Sequence, residues 1–293
     1  MPHIVTVVHV SDPHLHKGRL GIQLSPHQLI PGVHRPRRSV VDRLFRELAT
    51  SVAREVPDCV AILSGDLSLL GKRRDIESAV SRWQQVTSGV SAAYILGNHD
   101  FWGGHIAAAL ALHAATHGRI WKRFWPKVGL HLDFQGIQVR VYFIDTTPTA
   151  LYLDVPALGT FSELERVRLE TAIRQDDQAD RSSPSPCLRI AVMHHPVKSI
   201  VRREALIDTL EHGGVSLVVS GHTHQDDMYP VGGVTQVVCR SSTLSIPSGF
   251  LKHRLFSTAD RRVVRLSTSS VELVPGGPAT ERTIYESFIS TVV

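Results

Sequence analysis

The sequence predicts an α/β fold, and three observations predict it. Short apolar runs rich in β-branched residues recur along the chain, amphipathic helical patterns lie between them, and five of the runs stop abruptly in a polar cluster. The clusters therefore collect at the C-terminal ends of strands, where open α/β sheets place their ligand sites.

Ile4 to Val10 runs directly into Ser11-Asp12-Pro13-His14. The segment 17–38 that follows, rich in Pro, Gly, His and Arg, reads as a long surface loop able to cover a site. Ser39 can cap a helix that carries Val40, Val41, Leu44, Phe45, Leu48 and Val52 on one face. Val60 to Leu63 then enters Ser64-Gly65-Asp66, and Ala93 to Leu96 enters Gly97-Asn98-His99-Asp100. Phe101-Trp102-Gly103-Gly104 could form an aromatic wall beside these polar groups, while Trp121, Phe124 and Trp125 read as packing residues. Ser162 and Glu165 have the spacing of a capping box before Val167, Leu169 and Ile173, and the stretch 175–186 reads as a solvated connection. Ile190 to Met193 meets His194-His195-Pro196; a helix from about Arg203, with Leu206, Ile207 and Leu210, stops at Gly213. Leu217 to Val219 meets Ser220-Gly221-His222-Thr223-His224. Beyond it, Val234 to Val238, Leu255 to Ser257, Val263 to Leu266 and Val271 to Val274 read as strands separated by polar turns.

Composition bounds the chemistry. With 42% hydrophobic and 20% charged residues over 293 positions, the chain is globular rather than collagen-like, disulfide-built or disordered. A net charge of +5 favours acidic partners such as phosphate esters. Cys59, Cys187 and Cys239 form no CxxC pair and read as buried reduced thiols. No basic n-region precedes the first apolar run and no run approaches the ~18 apolar residues of a membrane span, so a cytoplasmic protein without integral membrane association is expected. P-loop, GxGxxG and GxSxG motifs are missing from the sequence, as are the signatures of nucleic-acid-binding modules.

The strand ends offer Asp12, His14, Asp66, Asn98, His99, His194, His195, His222 and His224, which are oxygen and imidazole donors without a thiolate. Such a set suits Mn, Fe, Zn, Co or Ni rather than an iron–sulfur or structural zinc site. His16 reads as a loop residue or an outer donor, and His9 as a strand residue near the site. Arg35, Arg37, Arg38, Lys72 to Arg74, Arg202 and Arg203 could bind phosphate oxygens, with solvated surface as the plainer reading.

Taken in order, Asp12-x-His14, Gly65-Asp66, Gly97-Asn98-His99-Asp100, His194-x-Pro196 and Gly221-His222-x-His224 resemble the motif set of the calcineurin-like metallophosphoesterase superfamily. The resemblance covers residues 4 to 226 and is closest to bacterial cyclic-nucleotide phosphodiesterase-type members. It implies an αββα sandwich of two mixed β-sheets flanked by helices. One domain would span 1–293, with a cap-like loop at 17–38 and a β-rich part from residue 225. It also implies two divalent or mixed-valence transition-metal ions, Mn, Fe or Zn foremost. Asp12, His14 and His224 would hold one, Asn98, His194 and His222 the other, and Asp66 would bridge them.

The residue types make chemical sense. A bridging carboxylate and hydroxide offset the repulsion of cations about 3.5–4 Å apart, and the cations make that hydroxide a nucleophile near neutral pH. Neutral Asn98 adds an oxygen without further negative charge. His99 would contact a phosphoryl oxygen or protonate the leaving alkoxide, with Asp100 holding its other ring nitrogen. The implied function is hydrolysis of a phosphodiester. The alternatives are a pyrophosphatase of a nucleotide-linked lipid precursor of the UDP-diacylglucosamine type, a phosphomonoesterase, and a catalytically silent nucleic-acid-binding or scaffold protein. Oligomeric state is left open.

Overall fold

The computed structural model describes residues 1–15, 38–69, 71, 73–101, 129–147, 158–182, 185–245, 247–258, 263–274 and 276–292. His16, Arg35, Arg37, Lys72, the aromatic residues 102–125 and nearly all of the expected 17–38 loop lie outside these residues.

Two six-stranded mixed sheets face each other. In the first, β1 (His3–Val10) pairs in parallel with β2 (Cys59–Ser64), and β2 in parallel with β3 (Ser91–Ile95). In the second, β4 (Gly129–Phe134) is antiparallel to β5 (Ile137–Phe143), which is parallel to β7 (Cys187–Val192); β7 is parallel to β9 (Leu217–Ser220). β10 (Asp227–Val231) and β11 (Val234–Val238) close its other edge. The long antiparallel strands β12 (Ser248–Ser257), β13 (Val263–Leu273) and β14 (Ala279–Ser290) return to the first sheet through β12 beside β1. The short strands β6 (Gly159–Thr160) and β8 (Ile200–Val201) pair separately.

Strand alternation builds the layers. Val5 and Val7 of β1, Ile62, Leu251, Leu266, Val141, Ile190 and Val219 pack into one core between the sheets. The opposite faces of β1 and β2, with Val8, Val10, Ala61 and Leu63, meet Leu44, Phe45 and Leu48 of α1 (Arg38–Glu55) and Ile76 and Trp83 of α2 (Arg73–Val86). The outer face of the second sheet, with Tyr142, Ala191 and Val218, meets Leu169 and Ile173 of α3 (Glu163–Ser182) and Leu206 and Leu210 of α4 (Arg203–His212). Each fully buried aliphatic side chain contributes about 1.5–3 kcal/mol by leaving water. The order of layers is helix, sheet, sheet, helix, as expected, and a strand covered on both sides reads as an unbroken apolar run. No helix among the described residues is long and apolar enough to cross a membrane.

Several local expectations change. Ser39 lies inside α1, which begins one residue earlier. The segment expected as a connection from 175 is helical to Ser182, because Asp176, Asp177 and Asp180 turn toward Arg140 and Arg189 on the second sheet. Only half of the capping box forms. Ser162 Oγ accepts the Glu165 N–H at 3.2 Å, but the Glu165 carboxylate accepts the Asp145 N–H at 2.7 Å. Ser267 to Ser270, expected as a turn, continues β13 without interruption.

Candidate metal centre

The five polar clusters meet at one end of the sandwich. Beyond β1 and β2 the two chains stay in step: the Asp12 N–H donates to the Gly65 carbonyl at 3.1 Å and the His14 N–H to the Asp66 carbonyl at 3.0 Å. The strand ladder thus hands its register to the ligand loops. Asp12, His14, Asp66, His222 and His224 all have left-handed backbone, with φ of 52°, 44°, 52°, 72° and 59°. Among the described residues only Gln135 and Arg202 are other non-glycine examples. Asp and His enter this region more readily than most side chains, but it still strains the backbone and gathers at functional sites.

These turns aim side chains inward. His14 Nε2 lies 3.2 Å from His224 Nε2, and His224 Nε2 lies 3.3 Å from Asp12 Oδ1. His14 Nε2 is also 3.8 Å from Asp66 Oδ2. On the other side of Asp66, His194 Nε2 lies 3.4 Å from Oδ1 and 2.9 Å from Asn98 Oδ1. The His194 and His222 rings are 5.2 Å apart. Donor atoms of Asp12, His14 and His224 lie within 4.8 Å of one another, as do those of Asp12, Asp66 and His194, and those of His194, His195 and His222. Asp66 therefore stands between two groups of nitrogens. Gly97 packs so closely that a Cβ there would overlap the Asp66 carboxylate.

Burial and charge oppose each other throughout. Burial alone would raise the Asp12 carboxyl, but the charges of the neighbouring His224 and His194 hold it well below its ordinary range. Asp66 behaves likewise under His194 and His99. Burial pushes His14 down to about 3 against the pull of Asp66. His194 goes the other way, up to about 9, because the charge and hydrogen bond of Asp66 outweigh burial. Buried Asp12 Oδ1 and His14 Nδ1 take no hydrogen bond from the described residues. Two carboxylates, an amide oxygen and imidazoles facing one another edge to edge fit divalent cations of the harder transition metals.

His99 and Asp100 depart from expectation. The His99 Nδ1–H donates to the Leu69 carbonyl at 3.0 Å, and its Nε2 lies 3.9 Å from Asp66 Oδ2. Asp100 does not hold the ring. Its carboxylate instead accepts the N–H groups of Leu67, Ser68 and Gly97 at 3.0, 2.7 and 3.0 Å, tying the Asp66 turn to the Asn98 turn. Burial, helped by the Asp66 charge, pushes the Asp100 carboxyl up to about 7 against those three donors. His195, next to His194, turns to Thr146: its Nδ1 is 3.0 Å from the Thr146 hydroxyl, and its backbone N–H donates to the same oxygen at 3.2 Å.

Sequence reasoning missed a comb of hydroxyls after β11. Ser241, Ser242 and Thr243 donate to the carbonyls of Asp12, Ser11 and Pro13 at 2.9, 2.7 and 2.9 Å, and Ser245 to that of His224 at 2.8 Å. Irregular backbone at residues 11–13 and 224 leaves carbonyls that no sheet ladder can satisfy, and buried carbonyls need donors. The run Ser241-Ser242-Thr243 was the available signal.

Comparison with known proteins adds the family. No curated protein matches the sequence. Among solved structures, GAP50, described as the anchor in the inner membrane complex of Plasmodium, aligns over 99% of this chain and 90% of its own with 13% identity and a TM-score of 0.56. A protein provisionally described as a 5′-nucleotidase from Staphylococcus aureus, in complex with α-ketoglutarate, aligns over 92% of this chain and 54% of its own, with 13% identity and a TM-score of 0.52. Vacuolar protein sorting 29 from Cryptosporidium parvum aligns over 98% and 99%, with 12% identity and a TM-score of 0.43. At these identities the first two likenesses concern the fold alone. The family profile described as calcineurin-like phosphoesterase matches residues 5–226, which span all five ligand clusters, and the chain belongs to that family.

Proposed function

We propose that the protein is a dinuclear metal-dependent phosphoesterase that prefers phosphodiesters. The observation that carries this reading is the position of Asp66, whose Oδ2 faces His14 and whose Oδ1 faces His194. Asp12, His14 and His224 would hold one cation, Asn98, His194 and His222 a second, with Asp66 shared. Two such cations supply Lewis-acid polarisation of the phosphoryl group and lower the pKa of the attacking water.

The chain's own groups do the rest. Asp100 fixes the spacing of the Asp66 and Asn98 turns through three backbone N–H groups. The Leu69 carbonyl fixes the His99 tautomer, placing the proton on Nδ1 and leaving Nε2 3.9 Å from Asp66 Oδ2. His99 would donate a proton to the departing alkoxide through Nε2. The His99 side chain is 17% exposed, whereas those of His14 and His194 are fully buried, so a substrate oxygen can reach it. A group that protonates an alkoxide serves esters with poor leaving groups. A net charge of +5 suits an anionic substrate.

A substrate panel at constant metal loading tests the reading. Bis-p-nitrophenyl phosphate or a cyclic nucleotide should show higher kcat/KM than p-nitrophenyl phosphate with Mn, Fe, Zn or Co. Monoesters ahead under every metal would overturn the diesterase preference, and no turnover of any ester by protein containing two metals would favour a silent scaffold.

A further inference from the structure

Two fully buried histidines stand outside the ligand groups, in the apolar layer between the sheets. On the inward face of β1, His9 follows Val5 and Val7; on that of β12, His253 lies between Leu251 and Leu255. Uncompensated polar groups in such a layer cost several kcal/mol, so an aliphatic side chain would be the cheaper occupant of either position. Both imidazoles are instead bonded at both nitrogens. His253 Nδ1 is 3.0 Å from Thr268 Oγ1, His253 Nε2 is 3.2 Å from His9 Nδ1, and His9 Nε2 is 2.8 Å from Ser64 Oγ. Ser64 Oγ in turn lies 3.5 Å from the Val10 carbonyl. One direction satisfies every link: Thr268 donates to His253, His253 to His9, His9 to Ser64 and Ser64 to Val10. Burial holds both rings neutral, as this pattern requires, pulling His253 down to about 3 and His9 well below its ordinary value, where the His253 charge adds to the effect.

Ser64 is where this chain of hydrogen bonds meets the centre. Its carbonyl accepts the His194 Nδ1–H at 2.8 Å, which turns Nε2 toward Asp66 and Asn98. The next residue is Gly65, with φ of 103°, and a Cβ there would collide with the His194 ring. Glycine is therefore required, and it brings no side chain of its own to brace the peptide between residues 64 and 65. The Asp12 N–H holds the Gly65 carbonyl on one side, and the Ser64 hydroxyl adds a brace on the other.

We propose that His9 and His253 are positioning residues for His194, holding the Ser64 peptide through the serine hydroxyl so that the His194 ring keeps the tautomer and direction a metal ligand needs. The inference rests on the dinuclear reading above. Outer partners of metal-bound imidazoles are worth about 10–100-fold in metal affinity.

The test uses the metal-free full chain titrated calorimetrically with Mn²⁺. Asn reproduces the reach of a histidine Nδ1 and Gln that of Nε2. His9→Asn therefore keeps the link to His253 and loses the link to Ser64, whereas His9→Gln keeps the link to Ser64. In His9→Asn, one of two Mn²⁺ equivalents should bind up to about 10-fold more weakly, the low end of the range for direct outer partners because His9 acts through Ser64, while the other is unchanged; His9→Gln should bind both as the wild type does. Ser64→Ala, which removes the hydroxyl and spares the carbonyl, should match His9→Asn and carries the test if that variant fails to fold. Equal affinities in His9→Asn and His9→Gln, or a fall in thermal stability with both equivalents unaffected, would overturn the positioning role. A wild type that binds fewer than two equivalents would overturn the dinuclear reading itself.

Discussion

Two clusters of buried charge, one beneath α3 on the second sheet and one where the ends of both sheets meet, are built differently. Beneath α3, Arg189 bonds Asp177 and lies 3.4 Å from Asp180, Arg140 bonds Asp180 and lies 3.6 Å from Asp176, and the Tyr142 hydroxyl donates to Asp176 at 2.6 Å. Every charge there has an opposite beside it, and every residue sits on regular strand or helix. At the candidate metal centre, imidazole faces imidazole and five residues have left-handed backbone. Ion pairs in unstrained backbone serve folding, whereas imidazoles crowded together in strained backbone are the mark of a ligand site.

Substitutions in the two clusters should therefore separate activity from stability. The largest effect is expected for Asp66→Ala. Its kcat/KM for bis-p-nitrophenyl phosphate should fall by more than about 10³-fold, reflecting several kcal/mol of lost charge stabilisation. Thermal unfolding of the metal-free variant should occur no lower than that of the wild type. Collapse of the fold would place Asp66 with the arginine network instead.

His99→Ala should lose about 10²–10⁴-fold in turnover with metal content intact. The deficit should shrink for a p-nitrophenolate leaving group relative to an alkoxide, and equal deficits would assign His99 to holding phosphate. Arg189→Met is expected to do the reverse. Its kcat/KM should match the wild type, while denaturant unfolding should show a loss of about 1–2 kcal/mol. The cost stays moderate because the Asp177 side chain is 43% exposed and can be hydrated once unpaired.

The smallest effect concerns Glu55, which accepts hydrogen bonds from Lys252, Arg254 and Thr6 on the first sheet. Although burial acts in the opposite sense, these partners hold its carboxyl below the ordinary 4.5. A depressed native pKa gives stability that is present above the unfolded value and lost as pH falls through the native one. Glu55→Gln should accordingly cost under about 1 kcal/mol at neutral pH, with the two unfolding curves converging in acid. A constant offset at every pH would mean that packing, not charge, sets the difference.

The same contrast explains what the sequence could reveal. The five ligand clusters were legible because a strand buried on both faces is an unbroken β-branched run, and its abrupt end marks the site. Asp176, Asp177 and Asp180 read as solvated because their partners, Arg140 and Arg189, sit on strands apart from them in sequence. Ser267 to Ser270 read as a turn because the histidine that Thr268 meets lies on another strand. The family resemblance put Asp100 on the His99 ring, yet the short helical turn at Asn98–Phe101 directs its carboxylate back to the Asp66 loop. β4, β5, β10, β14 and α2 escaped notice, since their mixed polar and apolar residues lack the clear runs of β1 or β7.

Metal analysis after equilibrium dialysis tests most directly whether the charge at the centre awaits cations. Wild-type protein dialysed against Mn²⁺ and then against metal-free buffer should retain two ions per chain, Arg189→Met should retain the same two, and Asp66→Ala should lose most of both. Retention of two ions by Asp66→Ala, or of none by the wild type, would contradict a shared carboxylate at the heart of the site.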